Sequence, residues 1–238
     1  MLPVAVLRKK PEMYYGIAEL GYWKSVFREL ISEKVPVLPY VPQHRKLPAR
    51  VLEPATAWKG IESVLGDLIQ RFDIGTNRCL EFGVEYGYST AALSCFFDSV
   101  IGVDTFTGDK HTENKSDIFA YTGRRLADFE NIELVRSDYR DWIAKDDSFY
   151  DLIHVDIVHT YADTFRCGLW SAQHASCVLL HDTLSFPAVR RAVIDIARET
   201  GKVFYNFGES YGLGILIERR LADRYPESGD RRHDFREK

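Results

Sequence analysis

Two short strings of the 238-residue chain set acids beside histidines: Val155-Asp156-Ile157-Val158-His159-Thr160-Tyr161 and Leu180-His181-Asp182-Thr183. Each follows an apolar run, so each is expected where a buried strand ends. If the two strands are neighbours in a parallel sheet, Asp156 and Asp182 come within reach of one divalent cation. Five of the seven histidines fall between His111 and His181, and His159 and His181 stand directly on these two loops. An imidazole with a pKa near neutrality can take up a proton. His159 is therefore the candidate general base with Asp156 as its catalytic partner, and Asp156 and Asp182 are candidate metal ligands.

A second group sits nearer the N-terminus, in Glu81-Phe82-Gly83-Val84-Glu85-Tyr86-Gly87-Tyr88-Ser89-Thr90. Gly83 and Gly87 permit a tight turn and close backbone approach to a ligand, and Ser89 and Thr90 open a helix with hydroxyls suited to a carboxylate or phosphate. Glu81 ends the preceding strand and can anchor an ammonium. Asp104 follows the next strand, where an acid accepts hydrogen bonds from ribose hydroxyls, and Asp138 follows the third, placed for an adenine amino group. A nucleoside-containing cofactor fits this set, while the nicotinamide fingerprint GxGxxG is absent.

These residues must be carried by alternating strands and helices. Strands are expected over Arg78–Phe82, Val100–Val103, Ile132–Val135, Tyr150–Val155 and Cys177–Leu180. Helices are expected over Thr56–Phe72, Ser89–Phe97, Ile118–Phe129, Tyr161–His174 and Val189–Thr200. Strands separated by helices imply right-handed crossovers and a parallel sheet covered on both faces. Lys202–Phe207 and Gly212–Glu218, joined by the turn GESY, read as an antiparallel hairpin. The expected fold is thus α/β: a Rossmann-like doubly wound sheet, mostly parallel and seven-stranded, with an antiparallel C-terminal hairpin and helices on both faces.

Six of the nine prolines lie in residues 1–50, and VPVLPYVPQHRKLPAR is too proline-broken for a regular element. Ahead of it, Glu12 to Glu33 has apolar spacing suited to an amphipathic helix. The expected organisation is an arm over 1–53, the α/β domain over 54–220 and a charged tail over 221–238. The arm is a candidate homodimer element, and its Tyr14, Tyr15, Trp23 and Tyr40 are read as packing residues before acceptor-pocket residues.

At 45% apolar and 28% charged residues the chain supports a sizeable core and has no membrane-length apolar run. The N-terminus does not read as a secretory signal, so a cytoplasmic location is expected. Cys79, Cys95, Cys167 and Cys177 lack CxxC spacing and read as buried free thiols. The net charge of −4 divides into +5 for residues 1–50, −11 for 51–218 and +2 for 219–238. An acidic middle disfavours nucleic acid and suits a cation.

The strings CLEFGVEYGYSTAAL, VIGVDTFTGDKHT, YDLIHVDIVHTY and VLLHDT, taken in order, resemble the class I S-adenosylmethionine-dependent methyltransferases. The likeness is greatest to the methyltransferase-24 type of small-molecule and sugar O-methyltransferase, and covers roughly residues 56–218. It implies methyl transfer from S-adenosylmethionine to an oxygen of a small molecule, a sugar or secondary metabolite, while charge and hydropathy leave no nucleic-acid or membrane partner expected. It assigns Glu81, Gly83 and Ser89 to the methionine end of the cofactor, Asp104 to the ribose and Asp138 to the adenine end, with Gly87 also read as cofactor-binding. Metal-dependent relatives hold Mg or another divalent ion on aspartates matching Asp156 and Asp182. His159 stands where catechol-type enzymes have lysine, and His181 and Thr183 stand at the positions of the third ligand. Ile157-Val158 replaces a glycine and a small or polar residue, and Asp109 and His111 belong to a GDxH string placed over cofactor or acceptor. Two other readings stay open on the sequence: a non-catalytic binding module of the same fold, and a nicotinamide-dependent oxidoreductase.

Overall fold

A computed structural model describes residues 34–53, 56–108 and 116–224. The proposed amphipathic helix at 12–33, Asp109, His111 and most of the C-terminal tail lie outside these residues. Among the described residues, those from Val37 onward form one compact unit, which takes in residues 37–53 of the arm.

In chain order the elements are β1 (Val37–Pro39), a 3-10 turn at Ile61–Val64, α1 (Leu65–Arg71), β2 (Arg78–Phe82), α2 (Tyr88–Ser94), β3 (Ser99–Asp104), α3 (Phe119–Arg125), β4 (Ile132–Arg136), α4 (Tyr139–Ile143), β5 (Tyr150–Val155), α5 (Tyr161–His174), β6 (Ala175–His181), α6 (Pro187–Thr200), β7 (Val203–Phe207), β8 (Leu213–Ile217) and α7 (Arg219–Ala222). The eight strands make one sheet in the order β1-β7-β8-β6-β5-β2-β3-β4. β8 runs antiparallel to β6 and β7, and every other pairing is parallel. β5 and β6 are buried at nearly every position, as strands covered on both faces must be.

The eighth strand corrects the expectation that the proline stretch forms no regular element. Val37, Leu38 and Pro39 pair with Phe204, Tyr205 and Asn206 on β7. Proline is tolerated there because β1 is an edge strand, where a missing N–H breaks no second ladder. Tyr40 continues the pairing through its N–H to the Asn206 carbonyl (2.9 Å). Its ring is buried near Phe72 and Phe207, and its hydroxyl donates to Asp67 Oδ2 at 2.5 Å. Packing, rather than lining a pocket, is its role.

Two helices also differ. The run expected from Thr56 opens instead with a turn, because Gly60 adopts φ +106° and the regular helix begins only at Leu65. α4 is short and was not foreseen; its N-cap is Asp138, which accepts the Arg140 N–H. Of the four cysteines, Cys79, Cys167 and Cys177 are buried and free, whereas Cys95 is partly exposed.

From central β2 the chain moves outward through β3 and β4 on one side and β5 and β6 on the other. The two directions part between β2 and β5, and the crevice beyond their carboxyl ends is where such sheets hold ligands.

Candidate functional site

A cavity of about 600 Å³ opens at that switch point, a size suited to a small organic ligand. Gly83, Ser89, Asp104, Asp138, Asp156, His159, His181 and Asp182 all stand on its wall, together with Trp58, Ile157 and Val158.

Gly83 follows β2 at φ +89°, and a Cβ there would fall 1.8 Å from the Asp156 carbonyl oxygen. Only glycine lets the loops after β2 and β5 approach so closely. Gly87 is also left-handed, and a Cβ there would meet Leu126 at 2.7 Å. Three non-glycine residues on or beside the cavity share this backbone region: Glu85 (φ 50°), Phe106 (φ 58°) and Asp182 (φ 64°). Such conformations gather at functional sites, where surrounding contacts hold them.

Asp104 lies on the wall, but much of its carboxylate is already engaged. Oδ2 accepts the N–H groups of Val84 and Glu85, both at 2.8 Å, and Oδ1 accepts that of Phe106 at 2.7 Å. It therefore stitches the glycine loop to the loop after β3. Asp138 likewise caps α4 and pairs with Arg140 (3.0 Å), while Arg140 also reaches Asp163.

Glu81 is placed differently from the expectation of a direct ligand contact. It is fully buried (0%) and is not among the wall residues of the cavity. Ser89 Oγ (2.5 Å) and His154 Nδ1 (2.9 Å) donate to Oε1, and Thr90 Oγ1 donates to Oε2. The Trp58 indole N–H donates to His154 Nε2 at 3.1 Å, which fixes His154 as the Nδ1–H tautomer. Glu81 thus acts behind the wall, orienting Ser89 and, through His154, Trp58. Sequence reasoning passed over His154 and Trp58. The signal was a histidine inside the apolar strand string LIHV, two residues before Asp156 and so on the same face.

The loops after β5 and β6 bring four side chains together as expected. His159 Nε2 lies 3.0 Å from Asp182 Oδ2 and 3.4 Å from Asp156 Oδ1. His181 Nδ1 lies 3.2 Å from Asp156 Oδ2 and 3.2 Å from Asp182 Oδ2. The His159 ring stacks on Phe186 with centroids 4.2 Å apart, and Ser185 donates its hydroxyl to Asp182 Oδ1. Burial alone would lower the His159 pKa, but hydrogen bonds to Asp156 and Asp182 push it up to about 9. His181 is likewise lowered by burial, yet the charges of Asp156 and Asp182 beside Nδ1 raise it to about 10. Burial opposes ionisation of Asp156 and Asp182, and the facing imidazoles hold both well below the usual carboxylate range.

The same cluster passes a test for a divalent cation. One oxygen each of Asp156 and Asp182 and a nitrogen of His181 lie within 4.8 Å of one another. His181 Nδ1 is buried without a well-directed hydrogen bond. Two carboxylates and an imidazole are a donor set that divalent ions accept. Thr183 does not join it, because its hydroxyl donates to Asn206 Oδ1 (2.7 Å).

Residues 80–183 match the family model described as a methyltransferase domain. No curated protein matches the chain by sequence. Among solved structures, a candidate caffeoyl-CoA O-methyltransferase from Staphylococcus aureus is 15% identical with a TM-score of 0.52, over 71% of this chain and 86% of that one. A candidate O-methyltransferase from Klebsiella pneumoniae is 12% identical with a TM-score of 0.50, over 72% and 83%. At such identities the likeness establishes the fold, which is the Rossmann-like methyltransferase fold. Among the described residues no helix is long and apolar enough to cross a membrane.

Proposed function

From the match of residues 80–183 to the methyltransferase domain model, we propose that the protein transfers a methyl group from S-adenosylmethionine to a hydroxyl oxygen of a small molecule. The observation that carries this reading is the placing of His159, against Asp156 and Asp182, on the same cavity wall as Gly83, Ser89 and Asp104. One cavity can then hold a cofactor along the loops after β2 and β3 and an acceptor beside a base.

The chemistry asks little beyond alignment and deprotonation, because a sulfonium is already electrophilic. In its neutral form, which gains population as pH approaches about 9, His159 takes the proton of the acceptor hydroxyl at Nε2, and the oxygen attacks the methyl carbon. The carbon–sulfur bond breaks with its electron pair passing to sulfur, leaving S-adenosylhomocysteine. Asp156 and Asp182 favour the imidazolium that proton uptake creates, and the stacked Phe186 ring fixes its plane. Asp156, His181 and Asp182 would hold a divalent cation; when bound, it supplies Lewis acidity that lowers the pKa of a coordinated hydroxyl. Trp58, Ile157 and Val158 give the wall apolar surface for an acceptor ring or chain. A small-molecule partner, a cytoplasmic setting and pairing of two chains through the arm complete the proposal.

Calorimetric titration with S-adenosylhomocysteine, followed by transfer of labelled methyl from S-adenosylmethionine to a panel of sugars and phenols, tests the reading. Saturable cofactor binding and label in an ether product are expected. A folded protein that binds neither form of the cofactor at millimolar concentration overturns it.

A further inference from the structure

His181 Nε2 lies 3.0 Å from the Ser210 carbonyl oxygen. A carbonyl only accepts, so Nε2 must carry hydrogen, and in the neutral ring Nδ1 then holds a lone pair. That lone pair faces Asp156 Oδ2 and Asp182 Oδ2, each 3.2 Å away. A proton on Nδ1, or a cation in its place, bridges the three donors, so a metal ion binds here by displacing that proton.

The carbonyl is held firmly in place. Ser210 and Tyr211 adopt left-handed backbone (φ 48° and 65°), and the Ser210 hydroxyl donates to the Lys59 carbonyl at 2.5 Å. The loop after β6 is stitched to the same turn, with Thr183 N–H donating to Gly212 O (3.2 Å) and Leu184 N–H to Tyr211 O (2.9 Å). The turn between β7 and β8 therefore orients a ring on β6 while being tied to the segment that carries Trp58.

We propose that Ser210 is a positioning residue that makes His181 a nitrogen donor, and that the cluster thereby favours a first-row transition ion, Zn²⁺ or Co²⁺ most and Mn²⁺ less, over Mg²⁺ or Ca²⁺. Hard Mg²⁺ and Ca²⁺ prefer all-oxygen sets, whereas imidazole shifts preference to transition ions. The inference rests on the reading that Asp156, His181 and Asp182 hold a cation. It adds which atom of His181 binds, what fixes that atom, and which ions follow from it.

The test uses full-length protein stripped with chelator and titrated calorimetrically with Mn²⁺ and Mg²⁺. The wild type is compared with His181→Asn, which offers an amide oxygen near the place of Nδ1, and with Ser210→Gly, which accepts the left-handed backbone but loses the hydroxyl. Pulsed electron paramagnetic resonance of the Mn²⁺-loaded protein supplies a readout independent of activity. Expected are a directly bound ¹⁴N coupling in the wild type that His181→Asn abolishes, and a Mn²⁺/Mg²⁺ affinity ratio about tenfold smaller in that variant. Ser210→Gly should weaken Mn²⁺ about 10-fold or more, as loss of a ligand-orienting group does. Mn²⁺ binding without nitrogen coupling, or an unchanged ratio in His181→Asn, overturns the proposal and leaves the cation reading standing. Absence of Mn²⁺ binding in the wild type overturns both. Should Ser210→Gly not fold, the wild-type spectrum and His181→Asn decide.

Discussion

His159 Nε2 stands 3.0 Å from Asp182 Oδ2, although the two residues sit on different loops and Asp182 reaches the ring from a left-handed backbone. The contact holds a base against an acid that stabilises its protonated form. Replacing His159 with alanine removes the proton acceptor but no residue of the Gly83 to Ser89 loop. Methyl transfer should therefore fall by about 10²–10⁴-fold, with S-adenosylhomocysteine affinity changed less than about twofold. Single-turnover assays beside calorimetry check this; equal losses in both would mark His159 as a structural residue.

Gly83→Ala is expected to do more harm than its one added carbon suggests. The Cβ would lie 1.8 Å from the Asp156 carbonyl oxygen, so the loops after β2 and β5 must separate. The left-handed backbone adds its own strain, of order 1–3 kcal/mol. A lower thermal midpoint together with weakened cofactor binding is the expected outcome. An unchanged midpoint would mean the two loops are not packed as described.

Much of this site was readable from periodicity. Apolar strings ending in Asp156 and Asp182 located two strand ends, and the β-α alternation made those ends neighbours. The glycine spacing likewise marked the loop that touches Asp156. What escaped the sequence is contact between remote positions. Nothing in LIHV says that His154 bonds Trp58, or that the Ser210 carbonyl orients His181, because both depend on tertiary register. Glu81 was correctly placed at a strand end, but its partners were not legible, since a period of two does not reveal that Ser89 and Thr90 turn back to meet it. The short β1 was hidden by prolines that an interior strand would not tolerate.

Tyr40→Phe tests how firmly that arm segment belongs to the domain. The tyrosine hydroxyl bonds Asp67, whose other oxygen accepts the Gln43 and His44 N–H groups (3.0 and 2.9 Å). Losing one donor to a buried carboxylate costs about 1–3 kcal/mol. Urea unfolding should show a shifted midpoint with the same slope; no shift would mean the segment is only loosely attached.

Lys202 gives a prediction in pH. Its ammonium is buried (7% exposed) on the Ala175 and Ser176 carbonyls, and burial lowers its pKa. Between that lowered value and the ordinary pKa near 10.4 the unfolded chain binds more protons than the folded one, so this group's contribution to stability rises with pH. Lys202→Met removes the titration. The stability difference between wild type and variant should therefore move in favour of the wild type from pH 8 to pH 10 in urea titrations. A difference that stays flat over that range would show the ammonium is not desolvated.

Glu81→Gln probes the buried network behind the cavity. The carboxylate accepts from Ser89, Thr90 and His154, three donors and no acceptor. A glutamine keeps one oxygen and turns an NH₂ group toward at least one of these donors, so a buried donor faces another donor. Each such loss costs about 1–3 kcal/mol. The damage should reach the site in two directions: Ser89 loses its orientation on the wall, weakening S-adenosylhomocysteine binding, and His154 is freed to turn, loosening its bond to Trp58. His154→Ala should reproduce only the second effect. Tryptophan fluorescence, urea unfolding and cofactor calorimetry on the two variants separate the branches. Unchanged stability in Glu81→Gln would show that the network does not hold the wall in place.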